Sequence, residues 1–194
     1  IGDLAGTTTM ASTVLIGAGT TERLKIDASG LTINGSALAL GATNINGLTD
    51  GYNVGDSVGL GTNALASDDG TDNKNTAVGL NSLRFNTTGF KNIATGEHSL
   101  RTNTTGYVNT ASGGEALYSN STGNSNTATG YLALRGNSTG NKNIGIGYGA
   151  GDAITTGSNN TIIGDYAGTA ALADTVVIAA GTTERLKIDS SGLT

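Results

Sequence analysis

The sequence predicts an all-β chain: a repetitive β-roll or β-helix of 17-residue repeats, flanked by short β-meander modules. Three observations carry this. One motif recurs at a spacing of 17 residues, opened by Asn75, Asn92, Asn109, Asn126, Asn143 and Asn160. The composition gives 32 Gly, no Pro, no Trp and no Cys, with aromatics at 4% and charged residues at 13%. Residues 163–194 repeat residues 1–32 at an offset of 162. Fixed-period self-similarity is the signature of a repeat architecture. So few large apolar side chains cannot fill a thick core, and a strict period with low charge is unlike a disordered chain.

Within each copy Gly stands at the fifth place (Gly79, Gly96, Gly113, Gly130, Gly147, Gly164). Leu83, Leu100, Leu117 and Leu134 stand at the ninth, replaced by Gly151 and Gly168 in the last two copies. Thr-Gly closes the first five, from Thr88-Gly89 to Thr156-Gly157. A weaker copy at Ser57–Lys74 keeps Gly61 and Leu65 in register with one extra residue, which makes seven copies over 57–162. The first five places, as in Asn126-Thr127-Ala128-Thr129-Gly130, alternate β-branched and small residues and suit a very short strand. The Leu is the only large apolar residue that recurs, so it is the expected interior anchor. Asn-Thr-Thr-Gly or Asn-Ser-Thr-Gly makes the turn, with Gly supplying positive φ and Asn tolerating it or bonding its own backbone. Coils stacked about 4.8 Å apart would give seven copies a rise of roughly 33 Å.

Residues 1–32 read as a β-meander. Val14-Leu15-Ile16 is a strand, and Glu22–Asp27 alternates polar and apolar residues as a half-buried strand does. Ala28-Ser29-Gly30 and Asn34-Gly35 are turn signals. Residues 33–56 are a linker with one or two short strands, and 163–194 are the second meander. A window that opens and closes inside 162-residue units, on Ile rather than Met, reads as a piece of something longer. The meanders then join one array to the next and cover its unpaired strand edges. A thin coil with a small-residue face invites close packing by further copies. Closed symmetry is the common arrangement of homo-oligomers, and the threefold one makes a fibre, so a homotrimer is expected.

The pattern Asn-Thr-Ala-Val-Gly-x-x-x-Leu followed by Asn-Thr-Thr-Gly, as at Asn75–Gly89, resembles repeats of bacteriophage fibre proteins, bacterial surface fibres and trimeric adhesins. The segment Thr183–Gly192 is similar to one common in phage tail fibres. The resemblance covers roughly residues 14–32 and 57–194. It implies a left-handed parallel β-roll in a trimeric fibre, with a host or cell-surface receptor, a polysaccharide among the candidates, engaged through a tip outside this window.

A net charge of −5 without a basic cluster disfavours nucleic acid, and no apolar run approaches the roughly 20 residues of a membrane span. No catalytic, cofactor or metal residues are assigned. The lone His98 beside Glu97 reads as an exposed histidine. Asp68-Asp69-Gly70-Thr71-Asp72-Asn73 offers oxygen ligands for Ca²⁺ but lacks EF-hand spacing, and a solvated turn is the simpler reading. Asn86, Asn103, Asn120 and Asn137 head Asn-x-Ser/Thr sequons, yet their repeat spacing suits stacked turn side chains better than glycosylation. Phe85, Phe90, Tyr107, Tyr118, Tyr131, Tyr148 and Tyr166 pad the coil exterior or a subunit boundary, or stack on sugars. Gly145–Gly149 is glycine-rich with no following helix, unlike a nucleotide loop. Glu97, Glu115, Asp152 and Asp165 are scattered. That favours a structural and adhesive fibre shaft over a polysaccharide-degrading tailspike. A phage tail fibre is the first reading, and a bacterial adhesin or extracellular filament the second.

Overall fold

The structure, a computed structural model, describes residues 14–18, 21–27, 30–33, 36–38, 51–54, 56–71 and 73–194. The chain divides into two units, residues 1–49 and 50–194. In the first, β1 (Val14–Ala18), β2 (Thr21–Asp27), β3 (Gly30–Ile33) and β4 (Ser36–Leu38) form an antiparallel sheet in chain order. The turn signals Ala28-Ser29 and Asn34-Gly35, and most of the expected linker, lie outside the described residues.

The second unit opens with an antiparallel hairpin, β5 (Gly51–Val54) and β6 (Ser57–Leu60). From β6 the sheet turns parallel through β7 (Thr76–Val78), β8 (Ile93–Thr95), β9 (Thr110–Ser112), β10 (Thr127–Thr129), β11 (Ile144–Ile146), β12 (Thr161–Ile163) and β13 (Val176–Ala180). Ala77, Ala94 and Ala111 pair in line, one coil above the next, as do Thr76, Ile93 and Thr110. This is a β-solenoid of about seven turns, and no helix occurs among the described residues.

Each strand is three residues long, not five, because the fifth-place Gly turns the chain. Gly79, Gly96, Gly113 and Gly130 have φ of 127–141°, open to Gly alone. A Cβ on Gly79 would also sit 2.6 Å from the carbonyl oxygen of Gly96. The rest of each coil is irregular yet bonded to its neighbour: the N–H groups of Leu83, Leu100 and Leu117 each donate 3.0 Å to Ser99, Ala116 and Ala133 of the next coil.

The core is narrow. Ala77, Ala94, Ala111 and Ala128 form one buried row, and Leu65, Leu83, Leu100, Leu117 and Leu134 a second, all of them fully covered. The leucines are interior, as their recurrence predicts, but they hold φ of 46–54°. That backbone costs an L-residue about 1–2 kcal/mol, while burying a Leu side chain contributes about 1.5–3 kcal/mol. Burial wins by a small margin. In the sixth coil the two roles are exchanged. Gly151 takes the turn without strain, and Ile154, at the twelfth place, fills the space: a Cβ on Gly151 would meet Leu134 Cδ2 at 2.8 Å and Ile154 Cδ1 at 3.2 Å.

Two buried columns of asparagine complete the interior. At the first place Asn75 Oδ1 accepts from the backbone N of Asn92 (2.9 Å), and this contact repeats through Asn109, Asn126, Asn143 and Asn160 to Thr175 N. At the twelfth place Asn103 Nδ2 donates to Asn86 Oδ1 (2.7 Å), Asn120 to Asn103 (2.8 Å) and Asn137 to Asn120 (2.9 Å). Both columns converge on the Thr-Gly carbonyls: Gly106 O accepts from Asn92 Nδ2 (2.8 Å) and Asn103 Nδ2 (3.0 Å). The Gly of Thr-Gly therefore differs from its expected role. Gly89, Gly106, Gly123, Gly140 and Gly157 are not among the positive-φ residues. They are Gly because the neighbouring coil and the asparagine amides leave no room: a Cβ on Gly106 would overlap Asn103 Oδ1 and stand 2.6 Å from Gly123 O.

Beyond β13 the chain turns antiparallel into β14 (Thr183–Asp189) and β15 (Gly192–Leu193). The pairing matches the first meander: Val14↔Ile26 corresponds to Val176↔Ile188, and the bulge after Ile16 to the one after Ile178. Asp27↔Gly30 likewise corresponds to Asp189↔Gly192. The half-buried alternation expected of this strand is incomplete, since Ile188 is 44% exposed. Among the described strands, β14 contacts only its two partners, β13 and β15.

Three outcomes are expected. Leu100→Ala should lower stability by about 2–5 kcal/mol, read from denaturant unfolding. Gly106→Ala should depress the melting temperature far more than Gly181→Ala. At Gly181 (φ 62°) a Cβ meets nothing within 4 Å, so only the backbone strain is felt. Finally, the Lys187 ammonium (2.8 Å), followed by the Ser191 hydroxyl and N–H, holds the Asp189 carboxyl well below the usual carboxylate range. The hairpin should keep this contact as pH falls through the usual carboxylate range and lose it only in stronger acid. Carboxyl carbon NMR reads the titration, which Lys187→Gln should move back upward.

Candidate functional site

The sequon asparagines are structural. Asn86, Asn103, Asn120 and Asn137 are fully buried, and their amides are spent on the column just described, which leaves nothing for a glycan to join. The acidic turn is structural among its described members as well. Asp68 occupies the twelfth place of the first coil and accepts from Gly70 N (3.2 Å), Asn73 Nδ2 (3.2 Å) and Asn75 Nδ2 (3.3 Å). Thr71 N and its hydroxyl bind Asp69 and lower its pKa. Asp72 lies outside the described residues. No group of three His, Asp or Glu able to hold a metal forms among the described residues.

His98 is half-buried rather than exposed, because the coil period sets it against its neighbours. Its Nε2 lies 3.0 Å from Asn81 Nδ2, and its ring meets Tyr118 edge-on at 6.1 Å. Beside it runs an alternation of cations and rings. Arg84 and Arg101 lie 5.0 and 5.2 Å from the Phe85 centroid, and Arg101 and Arg135 each lie 5.5 Å from that of Tyr118. Arg101 Nη1 donates to Tyr118 Oη at 2.6 Å. Arg135 Nε is 2.7 Å from Glu115 Oε2, and this contact raises the guanidinium pKa. The cluster is a cation–π ladder along the coil exterior.

Of the scattered acids, the fold brings two to one place. A Cβ on Gly149 would lie 3.2 Å from Asp165 Oδ1 and 3.8 Å from Asp152 Oδ2. Their juxtaposition across adjacent coils is invisible at a separation of 13 in the chain. Gly145–Gly149 runs through β11 and the turn after it, in register with the other coils.

The outer side of the parallel strands presents the second and fourth places. Ile93 (49% exposed), Ile144, Ile146 and Ile163 stand there among threonines. Phe90 and Tyr107 stack parallel at 4.9 Å with 1° between their planes, and Tyr131 and Tyr148 pair at 5.7 Å. These rings are on the exterior, where the sequence puts them.

Next to Tyr107 lies an open groove of about 400 Å³, lined by Asn124, Ser125, Asn141, Lys142, Ser158 and Asn159. Reading motif by motif does not find it. Reading down the sixteenth place does: Phe90, Tyr107, Asn124, Asn141, Ser158 steps from rings to short side chains. The chain matches no family model, no curated protein and no solved structure.

Proposed function

We propose that the chain is a shaft segment of an extracellular homotrimeric fibre, carried by a phage tail and serving attachment to a host surface. The observation that supports this best is the exposed isoleucines of the outer strand face, Ile93, Ile144, Ile146 and Ile163, on a solenoid whose own core is one leucine wide. Apolar side chains left open on one face of a shaft suit coverage by identical chains, and cyclic closure ends the association at a fixed number. A bacterial surface adhesin or filament is the alternative, and labelling the chain on intact virions or cells separates the two.

A degradative tailspike is a second reading, favoured by Asp152 and Asp165 both lying close to Gly149 from adjacent coils. The tailspike reading requires that the chain cleave polysaccharide and that Asp152→Asn abolish the cleavage, whereas the fibre reading expects no cleavage by either chain.

Light scattering on the refolded chain of 19.1 kDa is expected to give three times that mass. Ile144→Lys together with Ile146→Lys should shift the population toward single chains without altering the coil. A stable, folded monomer from the unaltered chain would overturn the trimer.

A further inference from the structure

The groove beside Tyr107 has the make-up of a ligand site. One face of the Tyr107 ring is covered by Phe90, parallel at 4.9 Å. In the following coil the sixteenth place is Asn124, too short to cover the opposite face, so the ring column ends in a shelf. Below it the side chains spend their acceptors on the backbone of the preceding coil. Asn124 Oδ1 takes Tyr107 N (2.9 Å), Asn141 Oδ1 takes Asn124 N (2.8 Å), and Ser158 Oγ takes Asn141 N (2.9 Å).

What remains toward the groove is mostly donors. Asn124 Nδ2, the Ser158 hydroxyl proton and the Lys142 ammonium have no acceptor among the described residues. Asn141 Nδ2 is tied to Thr139 O (3.2 Å) and Asn159 Nδ2 to Asp174 Oδ1 (2.8 Å). A flat ring beside several donors and one cation suits a ligand with an apolar face, many acceptor oxygens and a negative charge.

We propose that this groove binds an acidic saccharide, its pyranose face on Tyr107 and its carboxylate on the Lys142 ammonium. The proposal rests on the reading of the chain as an attachment fibre and gives the shaft itself a receptor contact, apart from any tip. Repetition of weak sites on the three chains would raise the avidity of a single modest contact.

The test is saturation-transfer NMR and calorimetry on the full chain, with trigalacturonate as probe and maltotriose as its neutral comparison. Trigalacturonate is expected to show transfer to its ring protons and binding that weakens with added salt. Tyr107→Ala should reduce affinity about tenfold or more, whereas Tyr107→Phe keeps it. Lys142→Gln, an exposed change that leaves the coil contacts intact, should abolish the preference for the acidic sugar. Circular dichroism verifies that each variant is folded. Absence of transfer from trigalacturonate, equal binding of both sugars by the unaltered chain, or full binding by folded Tyr107→Ala would each overturn the site. A trimer that binds neither sugar would remove the groove and leave the fibre reading standing, whereas a monomer that binds would do the reverse.

Discussion

The buried amide of the first-place asparagine is the constraint on which the solenoid depends. A polar group without a partner inside a protein costs about 1–3 kcal/mol. Asn109 avoids this with bonds on both sides: its Nδ2 donates to Gly123 O of its own coil (2.8 Å), and its Oδ1 accepts from Asn126 N of the next (2.9 Å). Every partner is fixed by the coil length. One residue more or fewer would leave several amides unpaired at once, which is why the period holds at 17 through the middle of the array. It relaxes only at the ends. There Ser57 Oγ replaces the amide toward Asn75 N (3.0 Å), and Thr175 N meets Asn160 Oδ1 after a coil of 15 residues.

From that constraint the glycines and leucines follow. The carbonyl that both asparagine columns share must lie close to the amides, so its residue has no space for a side chain. Turning the chain within so few residues demands left-handed backbone at several places. Glycine takes one, and the leucines take another because their burial outweighs the strain. The exchange to Gly151 and Ile154 shows that the two demands, a turn and a filled core, are separable. It also ends the twelfth-place column, and there Asn143 Nδ2 closes on Asn137 Oδ1 at 3.2 Å.

A solenoid built this way must protect its ends. β5 pairs antiparallel with the first coil's strand, and β14 with β13 beyond the last, so neither terminal edge of the parallel sheet lies open. The outward places are free of these demands, and there the coils differ from one another: rings, arginines, isoleucines and short polar residues follow no strict period. The interior, by contrast, cannot change without breaking the stack.

Much of the fold was legible in the chain. The 17-residue period set the coil, the recurrence of Leu83 to Leu134 marked the interior, and the spacing of Asn86 to Asn137 pointed to stacking rather than glycosylation. These follow from local chemistry repeated in register, which a sequence displays directly. The tertiary structure alone decided what lies across from what: Phe90 on Tyr107, Asp152 near Asp165, His98 against Tyr118, and the groove below Tyr107. It also gave the Thr-Gly glycines their role as close-approach points instead of left-handed turns. The reason is physical. Those relations join residues on different coils, and their distances exist only once the hydrogen bonds between coils have fixed how one turn sits on the next.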